Sequence, residues 1–178
     1  MEYVILGFLM IRDLSQYDLL QALSKNVSPF YKPSLGSIQN ALKKLLRQHY
    51  ILKELQEGSG RKKALYSITP EGTRYLKSWM LTEFSQSKFE AELNTRIFFL
   101  GNFDYELKRT VFSHALSYVT SELDAFSREY TRMQSITLNP NIANLAKYQI
   151  KTLEMTINQF ETLSIWLKKE IVELEDQL

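Results

Sequence analysis

Apolar residues recur with a helical period along most of the chain. Residues 2–11 are apolar nearly all round, which predicts a buried first helix, and residues 15–25 predict a second helix with one apolar side. Ser15 and Asp18 have the spacing of a capping box at the start of that second helix. Pro29 and Pro33 exclude a continuous helix between residues 27 and 33. The order up to this point predicts a helix-turn-helix.

The third predicted helix, over residues 33–47, has two unlike sides. Its apolar side carries Ile38, Ala41, Leu42, Leu45 and Leu46, and its polar side carries Gly36, Asn40, Lys43, Lys44 and Arg47. Ser34 is placed to cap the first turn. One side therefore belongs to a core, and the other is free to meet either solvent or a partner.

Two strand-like segments follow, at residues 51–57 and 64–68. Gly58-Ser59-Gly60 and three successive cations separate them, so we expect a hairpin with a basic tip. This tip is either a solvated loop or a wing that reaches a nucleic-acid groove, and its place after a basic helix-turn-helix favours the wing. Thr69, Pro70 and Glu71 then supply the cap, first position and first-turn acid of another helix, which should end near Thr82.

The second half of the chain predicts long helices, because Gly101 is the last glycine and Pro140 the only later proline. We expect helices at about residues 88–100, from residue 104, and after Asn139-Pro140. Ser85-Gln86-Ser87 has the composition of a short linker between the halves, and we place the domain boundary there. The predicted fold class is mainly α: a winged helix-turn-helix domain at residues 1–84, followed by a long-helix dimerisation domain at residues 85–178.

The last helix has the clearest apolar repeat, with intervals of three and four residues from Ile150 to Leu178 and a polar Ser164 within it. Such a stripe needs a covering surface, either within the chain or on a second copy. The second copy is favoured here, because helix-turn-helix proteins commonly pair to contact two half-sites. The predicted dimer interface comprises Ile150, Leu153, Ile157, Phe160, Leu167, Ile171 and Leu174.

The distribution of charge along the chain indicates a class of partner. The formal net charge is only +2, yet the segment from Lys25 to Lys63 contains nine basic residues and two acidic ones. This concentration predicts a polyanionic partner, double-stranded DNA above all. No stretch approaches the roughly 18 apolar residues of a spanning helix, so we expect no membrane partner.

The predicted DNA contacts lie on the third helix and the hairpin. Gln39 and Asn40 carry amides that can bond an adenine edge, and Lys43 and Lys44 follow one turn later to meet phosphate. An ordinary solvated helix face is the alternative. The full predicted set is Lys32, Ser34, Ser37, Gln39, Asn40, Lys43, Lys44, Arg61, Lys62 and Lys63.

The chain shows no catalytic constellation. It has no cysteine, and its two histidines, His49 and His114, are far apart and outside any metal-ligand or triad spacing. We therefore expect neither an enzyme nor a cofactor or metal ion. The lack of cysteine suits a reducing cytoplasm.

These motifs together resemble the PadR family of transcriptional regulators. The resemblance rests on ILGFL at residues 5–9, SQYDLLQAL at 15–23, PSLGSIQNALKKL at 33–45 and YSITPEG at 66–72. RIFFLG at 96–101 resembles the longer, phenolic-acid-regulator subgroup.

The resemblance implies a homodimeric, DNA-binding repressor released by a small aromatic ligand, and it makes Trp166 the candidate ligand-site residue. Two positions depart from the family pattern: Ser15-Gln16 replaces His-Gly, and Gln39-Asn40 replaces Tyr-Pro. The second departure lies on the exposed side and predicts a different operator preference. The alternative function is a winged-helix interaction module that binds an acidic protein partner.

Overall fold

The computed structural model describes residues 1–26, 34–56, 63–136 and 142–176. Most of them are helical, and three short strands form one small sheet. The elements are α1 (Glu2–Ile11), β1 (Leu14–Ser15), α2 (Gln16–Asn26), α3 (Leu35–Arg47), β2 (Ile51–Gln56), β3 (Lys63–Ile68), α4 (Pro70–Met80), α5 (Phe89–Phe99), α6 (Tyr105–Gln134) and α7 (Ala143–Glu175). The predicted winged helix-turn-helix followed by long helices is confirmed.

The sheet is antiparallel, with strand order β1-β3-β2. The hairpin of β2 and β3 was predicted, whereas β1 was expected to be only a break between helices. Leu14 pairs with Tyr66 of β3 and is buried. Leu14 and Ser15, between α1 and α2, therefore form an edge strand of the sheet. Asp18 accepts hydrogen bonds from both the backbone N–H and the hydroxyl of Ser15, which confirms the predicted capping box.

One tight junction fixes the end of α3 to the start of α4. His49 adopts a positive φ of 58°, which turns the chain from α3 into β2. The Thr69 hydroxyl donates to the His49 carbonyl at 2.8 Å and accepts from the Gly72 N–H at 3.0 Å, so it caps α4 as predicted. A Cβ at Gly72 would overlap the Tyr50 carbonyl oxygen, so this contact requires glycine.

Helix α5 packs with the winged-helix elements. Phe99 covers Gly7 of α1, where an added Cβ would lie 2.5 Å from the ring. The fully buried Arg96 donates to the Thr82 carbonyl at 2.8 Å, and its guanidinium lies 4.0 Å from the Phe84 ring centre. Burial lowers the pKa of Arg96. These contacts make α5 part of the first compact unit.

Two compact units divide the chain at a different place from the predicted domains. The first unit is Met1–Lys108 and the second is Arg109–Leu178, so the division falls within α6. The predicted boundary at residues 84 and 85 lies inside the first unit, because α5 shares the core of α1 and α4. Gln86–Lys88, which overlaps the serine-rich stretch, forms a 3-10 helix inside the first unit.

In the second unit α6 and α7 run antiparallel. Phe126 makes an edge-to-face contact with Phe160, with ring centres 5.6 Å apart, and Tyr130 donates to Glu154 at 2.9 Å. Leu167 and Leu174 are buried within the single chain. These two residues pack within the chain, and the dimer interface as a whole stays a prediction. The remaining interface predictions, Ile150, Leu153, Ile157, Phe160 and Ile171, are partly exposed.

Candidate nucleic-acid interface

Helix α3 has the two unlike sides that its sequence predicts. Ile38, Ala41, Leu42 and Leu45 are buried in the first unit. Ser34 accepts a hydrogen bond from the Ser37 N–H at 3.1 Å, and the Ser37 hydroxyl donates to the Ser34 carbonyl at 2.8 Å. The cap and the buried side hold α3 firmly, so its outer side is presented in a fixed position.

The outer side carries polar groups in the order that the sequence suggests. Gln39, Asn40 and Lys43 are exposed, and within the described residues none of their side chains has a hydrogen bond or an ion pair. Both amides can therefore exchange water for base edges without breaking an internal contact. Ser34 and Ser37 are committed to capping, so their hydroxyls are less available for DNA than the amides.

Lys44 is engaged differently from its neighbour Lys43. Its ammonium donates to the Glu2 carboxylate at 2.8 Å, although both side chains remain partly exposed. The hydrogen bond with Glu2 raises the pKa of Lys44. Two adjacent lysines with the same predicted role thus have unlike surroundings, and 42 residues separate Lys44 from its partner.

Three predicted contacts, Lys32, Arg61 and Lys62, lie outside the described residues. Lys63 is the first residue of β3, and its backbone pairs with Gln56 across the hairpin. The two strands pair in register from this point to Ile51 and Ile68. The paired strands β2 and β3 therefore form the stem of the predicted hairpin.

A cavity of about 260 Å³ lies in the first unit, between residues of α1, α4 and α5. Tyr3 and Trp79 stack on its wall with ring centres 4.2 Å apart, and Lys88 and Glu92 also line it. Burial and a hydrogen bond with Tyr75 raise the pKa of Tyr3 well above its usual range. The cavity can hold a small planar molecule against a ring, with a cation and a carboxylate within the lining.

Sequence reasoning missed this cavity. The only local signal was the interval of four residues between Tyr75 and Trp79, which places two aromatic rings on one side of α4. Tyr3 joins them from the distant first helix, and no local pattern predicts that contact.

Trp166, the predicted ligand-site residue, lies on α7 in the second unit. It is 36% exposed, and its ring meets Phe112 edge-on with centres 6.1 Å apart. The structure therefore gives two tryptophans in unlike settings, one on a cavity wall and one at a helix surface.

The fold and this outer side of α3 define a winged helix-turn-helix domain followed by a long-helix region. Residues 5–78 match the model of the transcriptional regulator PadR-like family. The resemblance stated from the motifs is thereby confirmed for residues 5–78.

A curated relative agrees with this assignment. Over 82 residues the chain is 28% identical to the negative transcriptional regulator PadR of Bacillus subtilis (strain 168). The aligned residues cover 46% of this chain and 45% of that protein. The matched part therefore spans about half of the relative's length.

Solved structures of similar proteins cover more of the chain at low identity. Bacillus subtilis PadR in complex with operator DNA is 19% identical, covers 97% of this chain and 98% of its own, and has a TM-score of 0.43. The same protein in complex with p-coumaric acid is 18% identical, with coverages of 98% and 94% and a TM-score of 0.40. The protein smu.1604c of Streptococcus mutans is 22% identical, with coverages of 96% and 98% and a TM-score of 0.46.

Among the described residues, no helix is long and apolar enough to cross a membrane. No group of three or more His, Asp or Glu side chains in the same ranges could hold a metal ion.

Proposed function

We propose that this protein is a dimeric, sequence-specific DNA-binding transcriptional repressor of the cytoplasm that a small aromatic ligand releases from its operator. The observation that carries the proposal is the outer side of α3, where unpaired amides and a lysine lie on a well-anchored helix of a PadR-like winged helix. The name of the curated relative, a negative regulator, supports repression over activation.

In this proposal the amides and cations have different tasks. Gln39 and Asn40 read base edges in the major groove, and Lys43 meets phosphate. The basic hairpin tip, with Arg61, Lys62 and Lys63, meets the adjacent backbone. An interaction module for an acidic protein partner would need the cations but would have no use for two amides beside them.

The test measures the affinity of purified protein for DNA upstream of its own gene by fluorescence anisotropy, over a series of salt concentrations and single-base operator variants. Asn40→Ala or Gln39→Ala should change the preference at particular bases by about 1–3 kcal/mol per contact. Lys43→Ala should instead weaken all sequences alike and reduce the salt slope by about 0.9.

Two results would contradict the proposal. An operator profile that is unchanged in both amide variants would show that α3 does not read bases. Equal affinity for every DNA sequence, together with binding to an acidic polypeptide, would favour the interaction module.

We further propose that the aromatic effector binds in the cavity of the first unit. Its wall has stacked aromatic rings, and the Lys88 ammonium can pair with a carboxylate of the ligand. Tyr3, on the cavity wall, is the neighbour of Glu2, which holds Lys44 of α3. A ligand that displaces Tyr3 therefore has a short route to the DNA-binding helix.

A further inference from the structure

The outer side of α3 contains two residues that the contacts assigned above do not include, Gly36 and Arg47. Gly36, Asn40, Lys43 and Arg47 follow one another at intervals of four, three and four residues, so they form one line along the helix. All four are exposed. We call these four residues the contact line.

Gly36 has no structural reason to be glycine within the described part of the chain. A Cβ built there meets no atom within 4 Å, and the backbone is ordinary helix without a positive φ. Gly72, in contrast, is required by a direct overlap with a backbone oxygen. Glycine weakens a helix relative to alanine, and no contact in the described residues accounts for its use at Gly36.

An outside surface that approaches closely would explain that glycine. A residue without a side chain lets another backbone lie against the helix, and at this end of α3 the approaching surface in the proposed function is DNA. Leu35, the neighbour of Gly36, is 49% exposed, so no described element covers this turn of α3 from outside.

Arg47 lies at the other end of the contact line. It lies in the last turn of α3, is exposed, and has no ion pair within the ranges that the structure describes. Its planar guanidinium suits bidentate contact with phosphate. Lys44 lies beside the line, and its ammonium is already bound to Glu2.

We propose that α3 meets DNA along the contact line, with Gly36 as the point of close backbone approach and Arg47 as a phosphate contact, while Lys44 stays with Glu2 as a clamp between α1 and α3. This inference rests on the proposed function. It changes the predicted contacts by adding Gly36 and Arg47 and by removing Lys44.

Substitution of Gly36 separates stability from DNA binding. Gly36→Ala should keep or raise the Tm, because alanine favours a helix more than glycine, yet lower operator affinity by about tenfold. A fall in affinity with a maintained Tm supports the inference. Operator affinity equal to that of the wild-type protein would overturn it.

A matched pair of variants tests the roles proposed for Arg47 and Lys44. Arg47→Gln should lower the salt slope by about 0.9, whereas Lys44→Gln, three residues earlier on α3, should leave the slope at its wild-type value. Circular dichroism and Tm of each variant confirm that α3 is folded. An unchanged slope in Arg47→Gln, or an equal loss in Lys44→Gln, contradicts the inference.

Lys43→Gln serves as the control for the function itself. If this variant and both amide variants bind operator as the wild-type protein does, the proposed function fails, and the contact line fails with it. If they weaken binding as expected while Gly36→Ala and Arg47→Gln do not, only the contact line is wrong.

Discussion

Gly72 is a residue of the winged-helix domain at which the backbone of another segment leaves no room for a side chain. It is buried between the Tyr50 carbonyl and the Ile68 side chain, which an added Cβ would meet at 3.0 Å. Its N–H also donates to the Thr69 cap. A single methyl group there must push apart the start of β2 and the start of α4.

Gly72→Ala should therefore lower the free energy of unfolding by about 1–3 kcal/mol, measured by urea denaturation. Gly101→Ala is the matched control, because no described atom lies within 4 Å of a Cβ at Gly101. That control should change stability by no more than about 0.5 kcal/mol. Equal effects of the two substitutions would show that the overlap at Tyr50 is relieved without cost.

At the scale of elements, α7 has two apolar sides with different roles. One side packs within the second unit, where Ser164 and Leu167 are buried. The other is exposed, and its apolar members are Tyr148, Met155, Ile165, Trp166 and Val172. A groove along this exposed side is lined by Met155 and polar neighbours that include Lys151 and Asn158. If the protein is a dimer, the exposed side is the part of α7 that remains to be covered.

We propose that a second copy covers this exposed side of α7. Met155→Glu combined with Ile165→Glu should then give a soluble monomer with weakened operator binding, because each carboxylate would be buried against the second copy. Sedimentation measures the oligomeric state. Met155→Leu with Ile165→Val, which retains the apolar character, should stay dimeric. A stable dimer of the double glutamate variant would place the interface elsewhere. Glutamates at Ile157 and Phe160 are a poorer test, because Phe160 packs on Phe126 within the chain.

At the scale of the whole molecule, regulation requires that ligand binding and DNA binding be coupled. The two tryptophans distinguish the two possible ligand positions, because Trp79 lines the cavity of the first unit and Trp166 lies on α7 in the second. A ligand lowers DNA affinity only by its preference for the DNA-free form of the protein. The same ligand concentration should therefore change both fluorescence and affinity.

With a panel of aromatic acids, we expect fluorescence quenching in Trp166→Phe, which keeps Trp79, and none in Trp79→Phe. Operator affinity should fall over the same range of ligand concentration. Quenching only in Trp79→Phe would move the ligand site to Trp166. A full panel without effect on either signal would end the proposal of an aromatic effector and leave the DNA-binding proposal in place.

Local patterns were sufficient for most elements of the fold. The apolar period placed α1, α3 and α7, and the Thr69-Pro70-Glu71 sequence placed the start of α4 where the structure has it. Strand β1 was missed, because two residues are too short for a period and its pairing with β3 is a long-range contact. The compact unit Met1–Lys108 includes α5, and no local pattern predicts this, because the contact of Phe99 with Gly7 joins residues far apart in the chain.

The sequence by itself determined the helix-turn-helix order, the hairpin and the amide-bearing face of α3, since each depends on residues within a few turns of one another. Only the tertiary structure decided which of two adjacent lysines is paired, which side of α7 is covered, and where an aromatic cavity forms. Each of those outcomes depends on a contact between distant segments, such as Glu2 with Lys44 or Tyr3 with Trp79. Local periodicity fixes the direction of a side chain from its own helix, whereas packing selects the partner that it meets.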